Sequence, residues 1–497
     1  MNTAPLGTSW FTPQRIWFGG LLLFVLCLLG ALFTEQWLLL GAPFFVGLAV
    51  LYTTDVRIGF FALAACIPWS FNLEEQLHIG VDFPDEPLML LLTLTALFWV
   101  CTQAKHIPWR KLLRNPIVLL IVVAWFWTLI TVIYSENPAL SFKFLIKKVW
   151  YLVPFFVWPL FIFQQRQTIR QTALALLLPL LAVVLFITYR FSAYGFRFEA
   201  VHNPLQPFFM NHVMYGSMVS IMVPVAVGAL FLSRRFSGRW FLSGAALAIL
   251  LMATYLAYSR ASWAAILFAL GAVVLVRFRV MHWAMLLFYA VLLSGVLYLS
   301  QQNRFLNYKP KFEKTIMHES LEDHIMATLQ GTDISSAERY FRWIAAVRMS
   351  ADRPITGVGP NNFYDYYKAY VVNSFKTWVS RNPEKSTTHN YFLYMLVEQG
   401  YPALILYAAL MVCLFYYAQQ VYRCNNREGR IMVLTAVGVI AATFINNFFS
   451  ELLEADKVGS LFYMAIATLI ALDVTSSKTN SASFTPPTLC ENPSRPL

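Results

Sequence analysis

"PIVLLIVVAWFWTLITVIY", residues 116–134, is a run of nineteen residues without a charged side chain. At 1.5 Å per residue a helix of that length covers roughly 28 Å, close to the ~30 Å hydrocarbon core of a bilayer. About fourteen such candidates follow one another, at 16–34, 37–53, 58–71, 88–103, 116–134, 148–163, 171–189, 212–232, 240–257, 262–276, 282–300, 389–418, 431–449 and 458–473, the third being short. They predict an all-α polytopic membrane protein with about 12–14 transmembrane helices. The composition agrees, since 12% charged residues is about half the ordinary soluble share and 58% are hydrophobic. An aromatic content of 16% fits side chains crowding the two membrane interfaces.

The net charge of +12 is read by location, because cytoplasmic loops collect Lys and Arg whatever the function. The basic loops "AKHIPWRKLLRN", "QQRQTIRQ", "SRRFSGR", "RFR" and "YRCNNREGR" alternate with loops poor in these residues. That places both termini in the cytoplasm and the alternate loops outside, including "NLEEQLHIGVDFPDEP", "SENPALSFKFLIKK" and one long segment from about 301 to 388. It also removes nucleic acid as the partner implied by the charge. Arg15 precedes an apolar run with no small-residue cleavage site, so that run is expected as a retained first span. The cysteines (Cys27, Cys66, Cys101, Cys413, Cys424 and Cys490) fall in spans, cytoplasmic loops or the tail, and none has metal-ligand spacing.

The chain divides into N-terminal spans over 1–300, an external helical loop over 301–388, C-terminal spans over 389–473 and a polar, Pro/Ser-rich tail over 474–497 that reads as disordered. In the external loop, Ser335 and Glu338 form a capping box that opens a helix. Pro354 and the glycines of "PITGVGPNN" end it, and Asn361 or Asn362 caps a second helix, "FYDYYKAYVVNSFKTW". Aromatic residues along both helices point to packing on the membrane or the bundle rather than to an independent domain. "GVGPNN" follows no strand, which argues against a nucleotide loop.

Cations on the outer side are few. Arg197 lies in "GFRFEAVHNP", Arg260 in the short turn of "AYSRASWAAIL", and Arg339 and Arg342 stand three apart on one face of the external helix. A plain reading exists for Arg260, snorkelling to lipid headgroups, and for Arg197, a solvated loop charge. Together, three separate elements offer guanidinium, which binds phosphate oxygens bidentately and stays charged at any relevant pH. The set suits a pyrophosphate presented at the outer membrane face.

In "KSTTHNYFLYMLVEQGYP", residues 385–402, His389 is either a polar helix-start residue with Thr387 or Thr388 as the cap, or a general base with a pKa of about 6.5. Gly400 falls about three turns further on, where a missing side chain favours close packing or a break. Glu398 is an intramembrane acid expected to pair with a neighbouring span. Glu74, Glu75, Asp82, Asp85 and Glu86 read as a solvated loop rather than a metal site, and Glu451, Glu454 and Asp456 are expected to meet nearby Lys or Arg.

The series "GFRFEAVHNP…NHVMYGSMVSIMVP", "AYSRASWAAILFALGAVVL", "ERYFRWIAAVRMSADRPITGVGPNNFYDYYKAY" and "THNYFLYMLVEQGYPALILY" resembles the O-antigen ligase and Wzy-type polymerase superfamily of bacterial inner-membrane glycosyltransferases. The resemblance covers roughly residues 190–470. It implies transfer of a glycan from an undecaprenyl-pyrophosphate carrier to an acceptor hydroxyl in the periplasm, with no nucleotide sugar, no cofactor and no metal. Arg197 and Arg260 would hold the donor pyrophosphate, with Arg339 and Arg342 as further cations. His389 matches the histidine of the ligases' His-(Asn/Ser/Arg)-x9-Gly motif, completed by Asn390 and Gly400; Ala403 departs from the residue usual three positions on. The acceptor implied is lipid A core for a ligase, another lipid-linked glycan for a polymerase, or a protein hydroxyl. A transporter of lipid-linked glycan is the competing class, and the inverted repeats it would carry are not visible.

Overall fold

Five membrane helices begin behind an asparagine whose side-chain oxygen accepts the first unpaired backbone N–H groups: Asn115, Asn137, Asn211, Asn390 and Asn426. In an apolar medium those N–H groups have no water to turn to, so a side-chain cap fixes where each helix starts. Proline follows at the first helical position behind Asn115 and Asn137, where its missing N–H is no loss.

A computed structural model describes residues 55–72, 82–107, 109–302, 304, 334–371 and 387–481. After a short helix, α1 (Val56–Cys66), come α2 (Asp85–Gln103), α3 (Pro116–Ile133), α4 (Pro138–Ile162), α5 (Arg166–Ser192), α6 (His212–Leu232), α7 (Gly238–Leu256), α8 (Arg260–Arg277) and α9 (Met281–Ser300). Then follow α10 (Ile334–Asp352), α11 (Tyr391–Cys424), α12 (Arg427–Phe449) and α13 (Asp456–Ser481). Eleven helices among the described residues are long and apolar enough to cross a membrane. The protein is an all-α polytopic membrane protein. The expected spans at 16–34 and 37–53 lie outside the described residues, and the short third one appears as α1 with a 3-10 turn to Trp69.

α12 and α13 form the centre, with 72% and 83% of their apolar windows buried, and α9 lies at the rim with 6%. Phe444 of α12 meets Phe268, Phe288 and Phe392 from three other helices. α10 packs on the bundle through Ala345, Ala346 and Met349, which join Val397, Val358 and Phe363 in one apolar cluster.

Three expectations are corrected. "SENPALSFKFLIKK" is largely helix rather than loop: the Asn137 cap and Pro138 start α4 early, and Lys147 and Lys148 do not stop it because they meet Glu86 at 3.7 Å and Glu454 at 2.8 Å. The first acidic loop is not solvated throughout. Asp85 is fully buried beside Asp456 and Lys457, Asp82 accepts from Asn72 at 2.9 Å, and Glu74 and Glu75 lie outside the described residues. The last helix continues beyond residue 473 to Ser481, and 482–497 lie outside the described residues.

Candidate active site

α6, α8, α11 and α13 all begin at one end of the bundle, where α12 finishes. Their N-terminal dipole ends add a positive field there. His389 sits in that region, one residue before the α11 cap, with a left-handed backbone, φ +51°. Such a conformation is uncommon outside glycine and needs support from its surroundings. Support comes from both sides. Thr388, fully buried, donates its hydroxyl to the Asn390 carbonyl at 2.8 Å, and Asn390 caps Phe392 and Leu393 at 3.0 and 3.1 Å while its amide donates to the Phe448 carbonyl at 3.3 Å. The helix cap is thus Asn390, not Thr387 or Thr388, because only Asn390 has the side-chain oxygen aimed at the free N–H groups.

α10 lies across this corner. Arg342 Nη1 donates to the Thr387 carbonyl at 2.8 Å, and Trp343 Nε1 to the Thr388 carbonyl at 3.0 Å. These bonds hold Arg342 buried and Arg339 half-buried next to the imidazole. Burial, with the Arg342 and Arg339 guanidiniums, drives the His389 pKa down to about 3, so the ring is neutral at physiological pH. On its other side Nδ1 stands 4.0 Å from Glu451 Oε2. The Glu451 carboxyl is raised above the usual range by burial, against the pull of Thr387, Arg342 and Arg339.

Arg197 and Arg260 lie on two segments that touch one another. The Tyr258 hydroxyl donates to the Phe196 carbonyl at 2.7 Å and the Phe198 and Tyr258 rings lie 5.4 Å apart, so the Arg197 loop is held against the turn that opens α8 at Arg260. Phe196 and Tyr258 are again left-handed, with φ +55° and +51°. The two regions are linked through helix starts. Gly216 of α6 is so close to α8 that a Cβ there would come 2.6 Å from Ser262 Oγ, Ser217 donates to Asn446 of α12 at 3.0 Å, and Phe448 two residues on accepts from Asn390.

Gly400 breaks α11. Its φ of +78° with ψ of −179° is open to glycine almost alone, and a Cβ would lie 2.0 Å from the Ile355 carbonyl oxygen. The chain that fills the break is "PITGVGPNN": Tyr401 N–H donates to Pro354, Val358 N–H to Val397, and Gly359 N–H to Glu398, at 2.8, 3.0 and 2.9 Å. The freed Gln399 carbonyl takes the Trp127 indole at 2.8 Å.

Glu398 is therefore corrected from a partner of a neighbouring span to an anchor for this segment, its carboxylate accepting the N–H groups of Asn361 at 2.6 Å and Phe363 at 3.2 Å. Asn362 does not cap with its side chain, because Glu398 has taken that role; its amide goes to Ser135 and Ser141 at 2.9 and 2.8 Å. The second external helix is a short turn, Phe363–Tyr366, continued as a 3-10 turn to Tyr370, and residues 372–386 lie outside the described residues. The Ser335–Glu338 capping box falls on side chains outside the described ones. Glu454 meets Lys148 and accepts the Tyr391 hydroxyl at 2.6 Å, as its position near the last span suggested.

Sequence reasoning did not find Glu451 as the neighbour of His389, nor Phe196 and Tyr258 as the clasp of the two arginine-bearing segments. The first contact spans sixty-two positions and the second sixty-two, with no local pattern to announce either. Residues 245–408 match the model of the O-antigen ligase family. A search of curated proteins finds no match.

Proposed function

We propose that this chain, whose residues 245–408 match the O-antigen ligase family, is an inverting glycosyltransferase acting on a glycan carried by undecaprenyl pyrophosphate. The ligase or polymerase type of function on lipid-linked glycan is what the family supports. The observation that carries it is the neutral, half-buried imidazole of His389 between two arginines and a carboxylate.

In this reading the guanidiniums of Arg197, Arg260, Arg339 and Arg342 take up the pyrophosphate and, as the glycosidic bond breaks, the charge developing on it. The acceptor hydroxyl attacks the anomeric carbon from the opposite face while His389 accepts its proton. Burial, with the arginines adding to it, weakens the base. Pyrophosphate offsets the arginines' part of that depression and so raises the imidazole's basicity, which couples proton acceptance to donor occupancy. Asn390 and Gly400 act through backbone: one fixes the start of α11, the other admits the segment that holds α10 over His389.

Purified protein given a lipid-linked glycan with lipid A core, a second lipid-linked glycan or a hydroxyl-bearing peptide is expected to transfer the glycan to one of them. Formation of none of the three products overturns the reading and leaves a transporter.

A further inference from the structure

Resting on that reading of a lipid-linked donor, we infer that the seam where α3 and α4 part, continued along α11, is the berth of the donor's isoprenoid chain. α3 and α4 are joined by only the residues between Ile133 and Pro138, and helices so connected ordinarily pack along their length. Here they leave a cavity of about 330 Å³, lined by Trp99 of α2, Val118 and Val122 of α3, and Val149, Phe156 and Leu160 of α4. A second cavity of about 60 Å³ continues it towards the candidate site, and Ile121, Trp125 and Leu152 line both.

The two cavities follow helix faces rather than scattered gaps. On α3 the lining positions 118, 121, 122, 125 and 128 recur at i+3 and i+4, and on α4 so do 149, 152, 153, 156, 157 and 160. From Lys148 to Phe161 the track runs roughly 20 Å, about two-thirds of the hydrocarbon core. Its ends differ in polarity as an amphiphile requires. The upper end is polar, with Lys148 and with Tyr391, two residues after His389, both bonded to Glu454. At the lower end the lining is apolar, and Trp109 and Leu113 there are exposed, so the track opens sideways to the bilayer.

A π turn at Val153–Val157, with Pro154 inside it, widens α4 at the point where Val153, Phe156 and Val157 line the larger cavity. Such turns are found mostly where a helix has been reshaped for function. α2, α3 and α4 precede the matched residues 245–408, so the family match assigns them no task. An amphiphile with a polar head beyond Tyr391, towards His389, and a single long apolar tail is the occupant whose polarity and shape fit both ends.

The test uses the full chain in phosphatidylglycerol nanodiscs with a polyprenyl pyrophosphate that carries a diazirine on its tail and no glycan. Photolabelling is expected on peptides covering 118–125 and 149–160, displaced by unmodified polyprenyl pyrophosphate and not by excess phosphatidylglycerol. Val122→Trp with Val149→Trp, by displacing about two methylene units of tail, is expected to lower labelling about tenfold. The same variant should raise KM for the long-chain donor and leave transfer from a donor with a very short isoprenoid at the wild-type level. Labelling elsewhere, equal displacement by phospholipid, or equal slowing of both donors overturns the inference. Labelling of the unaltered protein decides the matter even where the double variant does not fold. Labelled seam peptides without any glycan transfer would keep the berth and remove the transferase reading.

Discussion

Two charged clusters lie side by side at the same end of the bundle and are built on opposite plans. In one, Asp85 and Asp456 are buried with Lys457, whose ammonium donates to the peptide carbonyls of Ser70 and Phe208 and lies 4.7 Å from the Phe209 ring centroid. Lys457 is the cation facing both acids there, and the two acids lie against one another. In the other, Arg339 and Arg342 face a neutral His389, and the carboxyl beside it, Glu451, is itself disfavoured as an anion by burial. The first cluster is closed on itself and ties α2 to α13. The second sets two guanidiniums next to a half-exposed base, an arrangement suited to an anion.

The sharpest way to break this contrast is at His389. His389→Ala is expected to leave the protein folded and inserted while transfer falls on the order of 10²- to 10⁴-fold, the usual share of a positioned base. Product formation with lipid-linked donor measures it, and wild-type rates would remove the base assignment.

Lys457→Met is expected to do the reverse. Removing one member of a buried, compensated set leaves uncompensated carboxyls and destabilises by about 3–5 kcal/mol, read as a lowered thermal transition in detergent before any donor is added. A variant as stable as wild type would mean that the closed cluster is not holding α2 to α13.

Gly400→Ala lies between the two clusters in kind. The left-handed backbone disfavours alanine by about 1–3 kcal/mol, and the clash with the Ile355 carbonyl adds to that. Because the segment filling the break leads directly from α10, activity and stability should fall together, and loss of activity alone would show that Gly400 has a direct role at the reacting groups.

The helical bundle was legible because membrane spans declare themselves through length and apolarity, needing no partner to be recognised. Arg342 and His389 were legible as chemical types. Their meeting was not, because it depends on the Thr387 and Thr388 carbonyls accepting Arg342 and Trp343 across forty-five residues. Glu398 illustrates the limit well. An acid inside an apolar run suggests an ion pair, and hydropathy carries no sign that a loop's backbone N–H groups enter the bundle to meet it. Lys147 and Lys148 misled in the other direction: charge marks the end of a span only when no acid on a neighbouring helix receives it.

Arg260→Lys is a smaller perturbation of the open cluster. Charge is kept and the planar fork is lost, so donor affinity is expected to weaken about tenfold with little change in stability. Full activity would count against bidentate holding of the pyrophosphate at this position.

The smallest effect is in pH dependence, and it separates the two plans most cleanly. With the free-site His389 pKa held near 3, kcat/KM should show no loss through pH 6.5, since the base is already deprotonated there. Once donor occupies the arginines the imidazole's pKa rises, so kcat should lose its acid limb at a higher pH than kcat/KM does. The same depressed pKa makes a stability statement. Between about 3 and the unfolded value near 6.5 the unfolded chain binds the extra proton, so the contribution is complete above pH 6.5 and is lost as pH falls towards 3. In Arg339→Gln the positive field is weaker, so the kcat/KM limb should move up towards the kcat limb and the low-pH loss of stability should shrink. A kcat/KM profile that already falls at pH 6.5 in the unaltered protein would mean that burial and the arginines together do not depress the base, and the contrast between the two clusters would lose its electrostatic meaning.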